Sequence, residues 1–111
     1  MRVWPKDKNT LGLMMTRSFG DQTGHDIGMT AVPAISVENK TKDIIAVVIG
    51  SDGVWEVCKE RHIINIVVKY YDSKDSQKAV AEMTELSELK WKADESDDYI
   101  DDITAIVGYL K

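Results

Sequence analysis

An acidic turn placed directly after a hydrophobic run is the feature that most constrains this chain. Residues 44–49 form an apolar run that predicts a buried strand, and the segment 50–56, Gly-Ser-Asp-Gly-Val-Trp-Glu, follows it at once. Gly53 allows the backbone to turn away in a conformation that larger residues resist. The sequence therefore places the carboxylate of Asp52 at the rim of a sheet, a position typical of a site rather than a core.

A second acidic turn lies near the C-terminus. Asp101 and Asp102 directly precede the strand-like run 103–110, so one acid follows a strand and the other precedes one. If the two strands pair antiparallel, the end of the first and the start of the second meet at one edge, and Asp52 and Asp101 converge. Converging carboxylates without basic neighbours usually hold a cation.

Length and charge exclude several classes of function. The 111 residues, 43% of them hydrophobic, suit one small domain. The formal net charge of −5 argues against binding to nucleic acid or to an anionic membrane, because both need a dense basic face. No apolar run approaches the roughly 20 residues that cross a bilayer. The single cysteine, Cys58, excludes an internal disulfide and suits a reducing compartment, but does not by itself show secretion or the cytosol. An intracellular location, cytoplasmic or nuclear, is the expectation.

The order of the predicted elements indicates an α+β fold. A short strand at 11–15, a polar glycine-rich loop at 20–28 and an extended segment at 33–37 precede the strand at 44–49. Apolar residues at helical spacing then predict one helix over 63–71 and a second that starts near Asp75 or Ser76. The stripe of that second helix consists of Ala79, Met83, Leu86 and Leu89. Helices that are segregated from strands favour α+β over an alternating parallel fold, and Trp55 is expected to fill the core.

Three segments, in this order, resemble motifs of the metal-dependent type 2C serine/threonine protein phosphatases. They are residues 11–21, 50–56 and 101–107, and the resemblance spans nearly the whole chain. It implies an α-β-β-α sandwich, with two packed antiparallel sheets flanked by helices and a binuclear Mg²⁺ or Mn²⁺ centre at one edge. Residues 1–111 look like the C-terminal portion of that catalytic domain.

The resemblance also assigns roles. It makes Asp52 and Asp101 metal ligands, and it implies that phosphoserine and phosphothreonine in proteins are hydrolysed by a water held between two metal ions. No protein nucleophile is required. Oxygen ligands suit Mg²⁺ or Mn²⁺, whereas His25, His62 and Cys58 are too few and too unpatterned for a zinc site.

Several departures from the family pattern open an alternative. Glu56 stands where aspartate is often found, Asp102 replaces the usual asparagine, and the upstream Asp-Gly-His-Gly motif with its metal-bridging aspartate is absent, as is the phosphate-binding arginine. The chain alone is therefore expected to be inactive, and the alternative is a non-catalytic fragment or pseudophosphatase that acts as a protein-interaction module. The expected partners are a phosphoprotein substrate, the N-terminal half of the domain, and a second copy through apolar surface that this half would cover.

Overall fold

The computed structural model describes residues 14–93 and 99–110 of the chain. Two compact units are present, Met1–Asn39 and Lys40–Lys111. None of the helices in the described ranges is long and apolar enough to span a bilayer.

The first unit contains one short helix, α1, Gln22–Asp26. Asp21 precedes it in the left-handed conformation, with φ of 60°, and its carboxylate accepts a hydrogen bond from the Gly24 amide at 3.3 Å. The prediction of a loop over 20–28 was wrong for these five residues, because this capping contact closes a turn of helix. Of the strand predicted at 11–15, residues 11–13 lie outside the described ranges and residues 14 and 15 are not in a strand.

The second unit combines three helices with a two-stranded sheet. Its elements are β1 (Ala46–Gly50), α2 (Asp52–Trp55), α3 (Glu60–Lys69), α4 (Ser76–Ala93) and β2 (Ala105–Tyr109). The strands pair antiparallel, with Ala46 opposite Tyr109 and Gly50 opposite Ala105. The α+β class and the antiparallel pairing are thus confirmed. The described residues form this one sheet, so the second sheet of the sandwich stays a prediction.

The two long helices follow the predicted apolar periodicity, except for one residue of α4. Asp75 caps α4, since its carboxylate accepts a hydrogen bond from the Lys78 amide at 3.0 Å. The buried side of α4 carries Ala79, Met83 and Ser87. Leu89, predicted to belong to this stripe, is 67% exposed. The buried residues of α4 recur every four positions, and Leu89 is not on that side of the helix.

The core of the second unit lies between the helices and one face of the sheet. Val54, Ile63, Met83 and Val107 are among its buried residues. Cys58 is 3% exposed, and its Sγ lies 3.4 Å from the hydroxyl of the buried Ser87. The other face of the sheet is open and apolar, and its exposed side chains are Val47, Ile49 and Ile106.

Trp55 does not fill the core as predicted. Its side chain is 40% exposed, and its indole nitrogen donates a hydrogen bond to the Gly50 carbonyl at 2.8 Å. A Cβ on Gly50 would lie 3.1 Å from this ring, so the tryptophan covers the end of β1 from outside.

A candidate metal site at the edge of the sheet

Ser51 joins the two acidic turns through three hydrogen bonds. Its amide donates to the Thr104 carbonyl at 3.0 Å, and its hydroxyl donates to the Asp102 carbonyl at 2.9 Å while accepting from the Thr104 amide at 3.1 Å. These bonds continue the strand pairing past the last pair of the ladder, Gly50 and Ala105. The turn after β1 and the turn before β2 therefore meet at one edge of the sheet, as the antiparallel arrangement requires.

Gly53 is needed here for space. A Cβ at this position would lie 2.4 Å from the carbonyl oxygen of Asp102, closer than real Cβ atoms approach. Gly53 lies inside α2 and is not among the described glycines with positive φ. Gly53 is thus required, as predicted, but for a different reason: close approach of two backbones, rather than a special turn conformation, excludes a side chain.

Asp52 is the first residue of α2, directly after the extended Ser51. Its position in the first turn suits a negative charge, because the free amides of a helix N-terminus carry partial positive charge. The side chain is exposed, and within the described ranges its carboxylate makes no hydrogen bond or ion pair. Its oxygens are therefore available to a ligand.

Asp101 is held on one side and is partly buried. Its Oδ1 accepts a hydrogen bond from the Tyr99 hydroxyl at 3.1 Å and another from the Asp102 amide at 2.9 Å. The hydrogen bond to Asp101 and its charge raise the pKa of Tyr99, and burial, Asp102 and Asp52 add to this rise. The charges of Asp52 and Asp101 thus both contribute to the pKa of the Tyr99 hydroxyl.

Two aromatic residues that the sequence analysis did not single out support the site. The Trp91 indole on α4 donates a hydrogen bond to the Gly53 carbonyl at 2.8 Å. The rings of Trp91 and Tyr99 pack edge to face, with centroids 6.4 Å apart. An aromatic residue beside an acidic stretch was the only signal in the sequence, and it does not reveal a partner 38 positions away.

The donor chemistry of this edge fits a hard divalent cation, although the described set of ligands is small. Asp52 and Asp101 offer carboxylate oxygens, which Mg²⁺ and Mn²⁺ prefer. No group of three or more His, Cys, Asp or Glu side chains suited to a metal ion occurs within residues 14–93 and 99–110. Two residues depart from the family pattern. Glu56 follows the last residue of α2, and Asp102 accepts a hydrogen bond from the Ser51 hydroxyl at its carbonyl and donates one from its amide to the Oδ1 of Asp101.

Comparison with known proteins places the chain in a family. The sequence pattern of Protein phosphatase 2C matches residues 3–92, a range that contains Asp52 and ends before Asp101. Among similar proteins is "Probable protein phosphatase 2C 72" of Arabidopsis thaliana, 34% identical over 99% of this chain and 33% of its own length.

Two further relatives agree. "Probable protein phosphatase 2C 73" of the same plant is 31% identical over 98% of this chain and 28% of its own length. "Probable protein phosphatase 2C 48" of Oryza sativa subsp. japonica is 30% identical over 95% of this chain and 29% of its own length. The chain thus spans about a third of the length of these relatives or slightly less. No solved structure matches it significantly. The match over most of the chain shows that it belongs to the protein phosphatase 2C family.

Proposed function

We propose that this chain contributes Asp52 and Asp101 to the metal centre of a Mg²⁺- or Mn²⁺-dependent phosphatase that acts on phosphoserine and phosphothreonine in proteins. The observation that carries this proposal is the set of hydrogen bonds from Ser51 to Asp102 and Thr104, which brings the two acidic turns to one edge. We call these contacts the Ser51 junction. Membership of the protein phosphatase 2C family supports the reaction class.

The residues of the chain would act by holding and orienting ligands. Asp101 is fixed through Oδ1 by Tyr99 and the Asp102 amide, which leaves its second oxygen for a cation. Asp52 projects from the start of a helix whose Gly53 carbonyl is held by Trp91. When bound, the metal ions would lower the pKa of a water and neutralise charge on the phosphate oxygens.

A protein nucleophile is not part of the proposal. Cys58, the only cysteine, is 3% exposed and faces the hydroxyl of Ser87, so its sulfur is not presented to a phosphoprotein. Its burial is typical of a structural thiol.

We further propose that the chain works as the C-terminal portion of the catalytic domain, together with a segment that supplies further acidic ligands. Two observations support this arrangement. The chain spans only about a third of the length of its relatives, and the described ranges contain no group of three metal-binding side chains. The second candidate, a protein-interaction module without catalysis, is favoured by that same incomplete ligand set.

Metal binding and turnover test the proposal together. Calorimetric titration with Mn²⁺ should show weaker binding for Asp52→Asn and Asp101→Asn, because each variant loses a charged oxygen and keeps its shape. Asp102→Asn should bind as the parent does. Asp72→Asn is the matched control, since Asp72 is an exposed acid between α3 and α4 without a hydrogen bond or ion pair in the described ranges.

In an active form of the phosphatase, Asp52→Asn and Asp101→Asn should each lower turnover of a phosphothreonine peptide at least about 10²-fold, equivalent to roughly 2.7 kcal/mol. The Asp102→Asn variant should stay within a few-fold. If Asp102→Asn is as damaging as Asp101→Asn, the wrong aspartate has been assigned, and a harmless Asp52→Asn ends the metal-site proposal. Robust Mn²⁺-dependent turnover by the 111-residue chain alone would contradict the need for another acidic segment.

A further inference from the structure

Four basic side chains lie at the start of α3 and the end of α4. These two segments approach each other, because the Sγ of Cys58, just before α3, lies 3.4 Å from the Ser87 hydroxyl on α4. Lys59 precedes α3, Arg61 and His62 lie in its first turn, and Lys90 lies in the last turn of α4. We refer to these four residues as the basic cluster. Its positive charge contrasts with the formal net charge of −5 of the whole chain.

The cationic members of this cluster are not neutralised by the described part of the protein. Within residues 14–93 and 99–110, the side chains of Lys59, Arg61 and Lys90 make no hydrogen bond or ion pair, although Lys90 is partly buried. Three other lysines on or beside these helices are each paired with a carboxylate: Lys69 with Glu82, Lys78 with Asp75, and Lys92 with Glu88. Unlike these three lysines, the cations of the basic cluster have no carboxylate partner among the described residues.

The positive charge of the cluster also affects the pKa of His62. Partial burial lowers the pKa of His62, and the positive charges of Lys90, Arg61 and Lys59 lower it further. Its Nδ1 is enclosed by protein and has no hydrogen-bond partner in the described ranges. Protonation would place a second N–H donor in this unsatisfied position among three cations, so the neutral ring is favoured.

The basic cluster lies beside the helix that carries Asp52. Lys90 is the neighbour of Trp91, whose indole nitrogen is 2.8 Å from the Gly53 carbonyl on α2. Lys59 follows α2 after a three-residue connection, residues 56–58. The basic cluster is thus connected to α2 by the chain at Lys59 and by the hydrogen bond of Trp91, the neighbour of Lys90.

We propose that the basic cluster binds an anionic residue of the phosphoprotein substrate, a second phosphate or a carboxylate, that flanks the residue to be hydrolysed. The assignment of this anion to a substrate rests on the proposed function. Arg61 can bind a phosphate through two parallel N–H groups, and the lysines add point charges. An anion bound there would also reduce the repulsion among the cations. The electrostatic stabilisation of the bound anion is therefore larger than at a lysine that is already paired with a carboxylate.

The two histidines of the chain allow a direct test in solution, without metal and without turnover. The imidazole signals of His62 and His25 are followed by NMR against pH, in inorganic phosphate and in chloride at equal ionic strength. Bound phosphate should raise the pKa of His62. His25 is the internal control, because it lies outside the cluster and its Nδ1 is 3.1 Å from the Met29 carbonyl oxygen.

Variants then locate the binding site. Arg61→Gln and Lys90→Gln should each weaken phosphate binding at least about 3-fold, since each removes one unpaired cation. Lys92→Gln and Lys69→Gln are the matched controls on the same two helices, and they should change it little because these lysines are already paired. Equal losses in all four variants, or equal shifts of His25 and His62, would overturn the proposal by showing only general ionic attraction.

A peptide series tests the nature of the ligand. A doubly phosphorylated peptide should bind the metal-free chain more tightly than its singly phosphorylated form, and this advantage should disappear in Arg61→Gln. If phosphate binds but the second phosphate of the peptide adds nothing, the substrate assignment is wrong. These measurements need neither metal nor turnover. The basic cluster can therefore be shown to bind phosphate even if Asp52 and Asp101 prove not to bind metal.

Discussion

Replacing Gly53 with alanine should separate the two acidic turns. The new Cβ would lie 2.4 Å from the Asp102 carbonyl oxygen, and real Cβ contacts are essentially never below 3.0 Å. The backbone of Asp102 cannot withdraw freely, because the Ser51 hydroxyl donates to the same oxygen at 2.9 Å. Relief of the clash therefore strains or breaks this hydrogen bond.

The expected loss of stability is about 1–3 kcal/mol. Overpacking costs about 1–3 kcal/mol and a lost hydrogen bond about 0.5–1.5 kcal/mol, while the better helix propensity of alanine returns about 1 kcal/mol. For a unit of this size the midpoint of thermal unfolding should fall by roughly 5–20 °C.

Circular dichroism against temperature measures the effect, and Gly108→Ala is the matched control. Gly108 lies in β2, and a Cβ added to it would meet no other group within 4 Å, so its replacement should leave stability unchanged or raise it by about 0.5–1 kcal/mol. A Gly53→Ala chain that unfolds within about 2 °C of the parent would refute the close-approach argument. A destabilised variant with unchanged Mn²⁺ affinity would show instead that the junction does not determine the geometry of the acids.

Two further predictions concern the core and the surface. Met83→Ala removes a fully buried side chain and should cost about 2–5 kcal/mol in urea unfolding, whereas a loss below about 1 kcal/mol would mean that the core collapses around the gap. Hydrogen bonds from Lys69 and Tyr70 lower the pKa of Glu82, so its contribution is present at neutral pH and is lost as the pH falls through its folded-state pKa. Glu82→Gln should therefore unfold at a lower temperature than the parent at pH ~7, with the difference shrinking as the pH falls below the usual glutamate pKa of about 4.3. A difference that is independent of pH would contradict the role of the carboxylate.

The elements that the sequence predicted correctly are those with long periodic patterns. The strands β1 and β2 and the helices α3 and α4 all follow from their apolar spacing, and Asp75, which caps α4, was one of the two residues predicted to start it. The short helix α1 was missed because one capping contact from Asp21, in a left-handed conformation, decides it against a polar, glycine-rich composition. Leu89 was misplaced because its spacing fitted a helical stripe that the packed helix does not use.

For the candidate site, the sequence predicted which segments meet but not what holds them together. Pairing of the strands followed from their patterns, and it brings the turns of Asp52 and Asp101 to one edge. The hydrogen bonds of Ser51 to residues more than 50 positions away, and that of Trp91 to Gly53, depend on tertiary contacts that no local pattern encodes. Whether both aspartates bind metal stays a prediction.

The buried thiol allows local or global unfolding of the protein to be measured by thiol labelling. Cys58 is the only cysteine, and it is buried among the core residues of the second unit, with its Sγ 3.4 Å from the Ser87 hydroxyl. A thiol reagent can modify it only in molecules whose helices have come apart, so the labelling rate counts such events without any added probe. The same burial makes oxidation of the folded protein slow, so sulfenic acid or mixed disulfide at this position would mark molecules that have already lost their packing.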